Sequence, residues 1–355
     1  MDDLIFEDMP KAELHLHLDG AIPPRTVLEL ARRNGMLDLL PGDSEDDLTA
    51  WFIFEDFYHF LDVKRTIKKL LRTADDFALA VFDVGQELAA HSVRYAEITV
   101  TPYTYISVLN QGVTIGTLLE GLAAGRQRVR EEVGVELCWI FDIPRNRAFT
   151  DYQNGGDYVP GAAEDTLQYA LRGLDAGVIG LGLGGSEVNA PPAPFAPVFA
   201  EAKRRGLRSL PHAGENGGVD SIWGAVHDLQ ADRIGHGIRA IDDEVLVTLL
   251  VERQIPLEVN VTSNVRLNII QRLEEHPLPL LERAGVYVTI NTDDPTLVGT
   301  TLTREYQQLV DVFGYTVTDV YRLARNAFTA SFAAPTLKAQ LLREFDEWVA
   351  KKQAT

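Results

Sequence analysis

In the stretch Lys11-Ala12-Glu13-Leu14-His15-Leu16-His17-Leu18-Asp19-Gly20, leucines alternate with two histidines. A period of two belongs to an extended strand, whose successive side chains point to opposite faces, so His15 and His17 share one face. Two neutral imidazoles side by side offer nitrogen donors to a divalent cation, with acidic Asp19 just beyond and Gly20 permitting a sharp turn. The plainer alternative is a buried strand with two hydrogen-bonded histidines. Residues of catalytic type recur farther along, in Pro211-His212-Ala213-Gly214-Glu215, Gly235-His236-Gly237 and Asn291-Thr292-Asp293-Asp294-Pro295. His15, His17 and His212 supply nitrogens and Asp293 a carboxylate oxygen. That donor set suits one Zn²⁺ and leaves a position for a water whose pKa the metal lowers. His236 would orient that water or take its proton. Glu215 would protonate an electron-poor ring nitrogen or carry the proton to a leaving group. Asp294 cannot share the inward direction of Asp293 and is free to accept a hydrogen bond from a substrate.

These residues need a scaffold that delivers them to one place. Apolar runs of strand length follow the first strand at residues 93–100, 135–143, 178–183, 207–211, 233–234, 256–261 and 285–290, each followed by a segment of helical spacing. Eight strands alternating with helices predict an α/β fold, a closed (β/α)₈ TIM barrel of the metal-dependent hydrolase type. Its active site lies at the C-terminal ends of the strands, which is where the histidines and acids fall. Residues 25–34 read as a helix stopped by Gly35, and residues 73–90 as another ending before His91. Residues 51–60 crowd Trp51, Phe52, Phe54, Phe57, Tyr58 and Phe60 together. They read either as a helical excursion packing aromatics on the body or as an apolar lid, an insertion at about residues 41–70. No second domain, low-complexity tract or repeat stands out, so residues 1–355 read as one domain.

The totals narrow the function. At 355 residues the chain can bury a sizeable core, and 46% hydrophobic with 24% charged residues is ordinary for a soluble globular protein. A net charge of −19 argues against nucleic acid or an anionic membrane surface as partner. The lone cysteine, Cys138, lies in an apolar run, fits a reducing cytoplasm and reads as a core thiol. The first residues carry no basic-then-apolar leader, and no apolar segment reaches membrane-spanning length. Two-metal barrels commonly bridge their ions with a modified lysine on the fourth strand, and no lysine occurs between Lys69 and Lys203. One metal is therefore expected. His59, His91, His227 and His276 lie outside the strand ends and read as structural or solvated.

His15-Leu16-His17-Leu18-Asp19-Gly20, His212-Ala213-Gly214-Glu215, Arg233-Ile234-Gly235-His236-Gly237, Thr262-Ser263-Asn264 and Asn291-Thr292-Asp293-Asp294-Pro295 resemble, in order, the motifs of the adenosine deaminase family of the amidohydrolase superfamily. The resemblance implies one Zn²⁺ on His15, His17, His212 and Asp293, Glu215 as proton donor to purine N1, and His236 positioning the hydroxide that attacks C6. It also implies that Asp294 contacts N7, that Asp19 hydrogen-bonds the ribose and that Gly185 offers its N–H to N3. The activity so implied is hydrolytic loss of ammonia from a 6-aminopurine nucleoside, adenosine or 2′-deoxyadenosine. At the fourth strand Gly182-Leu183-Gly184-Gly185-Ser186-Glu187 stands where the family usually has Asp-Leu-Ala-Gly-Asp-Glu, so two acidic positions are lost. Asn260-Val261 likewise replaces a Cys-Pro. The glycine-rich run is similar to members acting on 6-aminodeoxyfutalosine, an adenosine with a benzoate-containing 5′ extension. Arg145 and Arg147 could pair with that carboxylate. Free adenine is a third option, and nothing in the sequence excludes N6-substituted purines. A purine-binding protein without turnover and a hydrolase of amides or esters are the rivals from other classes.

Overall fold

The computed structural model describes residues 5–54 and 57–354, the side chains of 57 and 58 excepted. Eight strands form one sheet whose order follows the chain: β1 (Lys11–His17), β2 (Val93–Val100), β3 (Glu136–Pro144), β4 (Val178–Gly184), β5 (Arg208–Ala213), β6 (Ile234–His236), β7 (Leu257–Val259) and β8 (Val288–Ile290). Pairing from β3 through β8 is parallel, and helices fill the connections, as parallel neighbours require. Past β8 the chain returns to β1. Asp293 N–H donates to the His15 carbonyl at 3.0 Å and His17 N–H to the Asp293 carbonyl at 2.8 Å. The fold is the expected (β/α)₈ barrel.

By packing, the chain divides into two compact units. The first comprises Met1–Ile98, Tyr105–Leu137 and Thr292–Thr355, the second Thr99–Thr104 and Cys138–Asn291. In the first, Leu14 and Leu16 are fully buried and His15 nearly so. A parallel strand covered on both faces needs an apolar residue even on its outer side, which the leucines supply. Then come the helices α1 (Leu18–Ala21), α2 (Pro24–Arg33), α3 (Glu45–Phe52), α4 (Phe57–Leu70) and α5 (Ala74–Ala90). Thr73 caps α5, its hydroxyl accepting from Asp76 N–H while the Asp76 carboxylate accepts from Thr73 N–H.

Two local expectations are corrected. Helical backbone begins at Leu18, directly after β1, so Gly20 makes no sharp turn. Its missing side chain matters instead because a Cβ there would collide with the Asp294 carboxylate. In the second unit, β5 and β6 extend beyond residues 211 and 234, because His212 pairs with Gly235 and Ala213 with His236. Both histidines are thus held by the strands themselves. The aromatic segment is partly packed away: Phe52, Phe54 and Phe60 are buried, with the Phe54 and Phe60 rings 5.1 Å apart. The rest of the lid expectation, at residues 55–56 and the side chains of Phe57 and Tyr58, lies outside the described residues.

Candidate active site

The first unit gathers His15, His17 and Asp293 at the end of β1. The two Nε2 atoms lie 3.5 and 3.3 Å from the same oxygen, Asp293 Oδ1. Alternation along β1 gives the histidines a common face, and the backbone bridge from Leu16 to Asp293 brings the carboxylate alongside. Burial, then the Lys64 ammonium, holds the His17 pKa well below its usual value despite Asp293. A neutral imidazole is the form that ligates a cation. The donor set therefore fits a divalent metal: two imidazole nitrogens and one carboxylate oxygen converge within one ion's reach.

Asp19 and Asp294 lie in the same unit, both nearly fully buried. They are bound by residues that sequence reasoning missed. Lys64 Nζ stands 2.6 Å from Asp294 Oδ1 and 3.5 Å from Asp19 Oδ2, and Lys68 Nζ 3.1 Å from Asp19 Oδ2. Burial pushes the Asp19 pKa up, but the two ammonium groups outweigh it and the net shift is downward. Burial raises Asp294 to about 7, with Asp293 and Asp19 adding to it and Lys64 opposing. The signal available in the sequence was spacing: lysines four apart share one face of a helix.

The second unit gathers His212, Glu215, His236 and Gly185. The His212 and His236 ring centres are 5.5 Å apart, and His236 Nε2 lies 3.8 Å from Glu215 Oε1. Gly185 follows β4 at φ +89°, a left-handed conformation that favours glycine. A relay sets the tautomer of His236. Leu278 N–H donates to His276 Nδ1, and His276 Nε2–H therefore donates to Asn264 Oδ1, both at 3.1 Å. The Asn264 amide is thereby oriented so that its Nδ2 donates to His236 Nδ1, again at 3.1 Å. Asn260 Nδ2, also bonded to the Glu258 carbonyl, donates to the same nitrogen at 3.3 Å. With Nδ1 an acceptor, the neutral ring carries its proton on Nε2. Of the two roles expected for His236, orienting a water suits this tautomer and taking its proton does not. His276, expected to be structural or solvated, is buried at the head of the relay.

Arg145 does not stand in a loop open to an anionic ligand. It is fully buried, Nη1 donating to the Ala190 carbonyl at 2.9 Å and Nη2 to the His212 carbonyl. Arg147 is exposed. The guanidinium is long enough to turn inward and satisfy carbonyls at the rim, which a reading of local sequence could not foresee. The glycines of β4 also gain a reason. A Cβ at Gly184 would collide with the Asp142 carboxylate, and one at Gly182 would come within 3.0 Å of it. A buried acid from β3 thus lies against the strand whose own acidic position is lost.

Residues 10–348 match the family described as adenosine deaminase. The aminodeoxyfutalosine deaminase of Streptomyces coelicolor is 39% identical over 96% of this chain and 85% of its own. An adenine deaminase of Cupriavidus taiwanensis is 35% identical, covering 96% of this chain and 92% of that one. Among solved structures, the adenine deaminase of Arthrobacter aurescens superposes with a TM-score of 0.86 at 35% identity, over 96% of this chain and 99% of that one. The chain belongs to the adenosine deaminase family and is a hydrolytic aminohydrolase acting on purine-type substrates.

Proposed function

We propose that this chain deaminates a 6-aminopurine nucleoside, adenosine or 2′-deoxyadenosine, to the 6-oxo product and ammonia, with one Zn²⁺ held by His15, His17, His212 and Asp293. The observation that carries the reading is the convergence of His15 Nε2 and His17 Nε2 on Asp293 Oδ1, in a chain of this family. Zinc bound there supplies Lewis acidity and makes water nucleophilic near neutral pH. The chain's own groups do the rest. Glu215 delivers a proton to purine N1, leaving C6 electron-poor. The Nε2–H of His236 holds the oxygen that attacks C6. Asp294 contacts N7, Gly185 N–H meets N3 and Asp19 faces the ribose. Both compact units would serve one catalytic domain, since the family match spans nearly the whole chain. A cytoplasmic setting belongs to the same reading, Cys138 being buried in the core.

A second reading, deamination of 6-aminodeoxyfutalosine, is supported by the relative at 39% identity. It is also supported by Lys64 and Lys68, which bring two ammonium groups to Asp19, the residue assigned to the sugar side. The relatives at 35% identity keep adenine as a third substrate. Ultraviolet spectra of the zinc-loaded protein with adenosine, 2′-deoxyadenosine, adenine and 6-aminodeoxyfutalosine separate the readings. Conversion to the 6-oxopurine is expected for at least one nucleoside, and none with any substrate would overturn the assignment. Lys68→Gln tests the second reading. A carboxylate bound by Lys68 predicts a kcat/KM loss of ~10-fold or more on 6-aminodeoxyfutalosine and a smaller one on adenosine, in line with a charge-assisted hydrogen bond. Equal losses would remove that support.

A further inference from the structure

We infer that Glu187, backed by Arg145, is a positioning residue for Glu215, gripping the rim loop after β5 in the orientation that proton delivery needs. The inference rests on the reading of Glu215 as proton donor. The Glu187 carboxylate is buried and accepts four successive backbone N–H groups. Gly214 donates to Oε2 at 2.7 Å, and Glu215, Asn216 and Gly217 donate to Oε1 at 2.9, 3.1 and 3.2 Å. The grip is reciprocal, because Glu187 N–H donates to Asn216 Oδ1 at 2.9 Å. Arg145 braces the end of β5, from which that loop departs, by its opposite chemistry, donating to the carbonyl of His212.

The local sequence makes this loop dependent on that carboxylate. Gly214 sits at φ +71°, which turns successive N–H groups toward one acceptor, as in an anion-binding nest. A Cβ at Gly217 would come within 2.7 Å of the Glu187 carboxylate, so the glycine is what lets the two approach. Gly214, Gly217 and Gly218 bring no side chains of their own to fix the loop. Burial alone would raise the pKa of Glu187, yet Arg145, Ser221 and the loop amides bring it below the usual value. It remains an ionised acceptor, the form that can serve four donors at once. Glu215, by contrast, reaches into the site with its side chain 14% exposed. An acid that must meet a ring nitrogen in line tolerates little displacement, ~1 Å costing on the order of 10²-fold in rate.

The test is a mutant cycle on the zinc-loaded protein with whichever purine the wild type converts. Glu187→Gln keeps the shape but replaces one acceptor oxygen by a donor that opposes the loop N–H groups. Expected are a kcat loss of ~10- to 100-fold, KM within ~3-fold, and unchanged zinc content. The double variant Glu187→Gln/Glu215→Gln should be no more than ~3-fold slower than Glu215→Gln, because residues acting through one another are not additive. Amide exchange at residues 214–217 should accelerate in Glu187→Gln, a readout independent of turnover. Asn216→Ala, which removes only the reciprocal bond, should show a smaller kcat loss that likewise vanishes beside Glu215→Gln, and it serves if Glu187→Gln does not fold. Wild-type kcat in Glu187→Gln, losses that multiply in the double variant, or unchanged exchange at 214–217 would overturn the inference. A wild type inert toward every purine would instead overturn the proposed function, leaving amide exchange to judge the grip.

Discussion

Asp293 and His236 adopt φ of +68° and +62°, left-handed conformations that cost a non-glycine residue free energy. The surrounding backbone bonds enforce them, and at Asp293 the result is a carboxylate turned toward both histidines of β1. This makes the choice of substitution informative. Alanine at 293 would lose the ligand and add strain, whereas asparagine tolerates the left-handed region and changes mainly the charge. Asp293→Asn is therefore expected to fold with a Tm near that of the zinc-free wild type while binding zinc much more weakly, checked by metal analysis after dialysis. A full zinc equivalent retained in Asp293→Asn would contradict the ligand role. Glu215→Gln should behave oppositely, keeping its zinc while losing ~10²-fold or more in kcat, as for removal of a general acid. Together the two separate the metal's residues from the proton's.

At the scale of elements, the rim loops are fixed by partners distant in sequence, which explains what could be read beforehand. The period-two pattern of β1 announced both the strand and the shared face of His15 and His17, because alternation is a local property. The apolar runs of β5 and β6 pointed to His212 and His236 as well, although both strands reach past those runs into the histidines themselves, because pairing between neighbouring strands is not a local property. Lys64 and Lys68 were missed as partners of Asp19 and Asp294 because nothing within a helix names the carboxylate it will meet. Arg145 was misread because the direction of a long side chain is decided by carbonyls elsewhere. The relay through His276 was equally hidden, and it has a pH signature. Burial, then proximity to His236, lowers the His276 pKa to about 3 from 6.5. Above pH 6.5 the ring is neutral in both states and its packing stabilises the fold fully. As pH falls from 6.5 toward 3 the unfolded chain takes up a proton that the folded one refuses, so stability drops. His276→Gln should flatten that part of the stability curve, measured by denaturant titration at pH 4 to 7. An unchanged slope would mean that His276 is not held neutral.

Over the whole molecule, the proposed zinc site draws on residues near the start of the chain, on β5 and on the segment after β8. An ion bound by such a set exists only in the folded state, because the unfolded chain holds those donors far apart. Binding then stabilises by RT ln(1 + [L]/Kd), about 4 kcal/mol at a free metal concentration a thousand times Kd. For a chain of this size each kcal/mol moves Tm by about 2 °C. Stripping the metal with a chelator is thus expected to lower Tm by on the order of 5–10 °C and to abolish deamination, and one zinc equivalent per chain should restore both together. Asp293→Asn supplies the control, since its Tm should respond little to either treatment. If chelation removed activity while leaving the wild-type Tm where it was, the ion would not be tying these segments together. A Tm that needed two equivalents to recover would contradict the single-metal reading drawn from the lack of a lysine between Lys69 and Lys203.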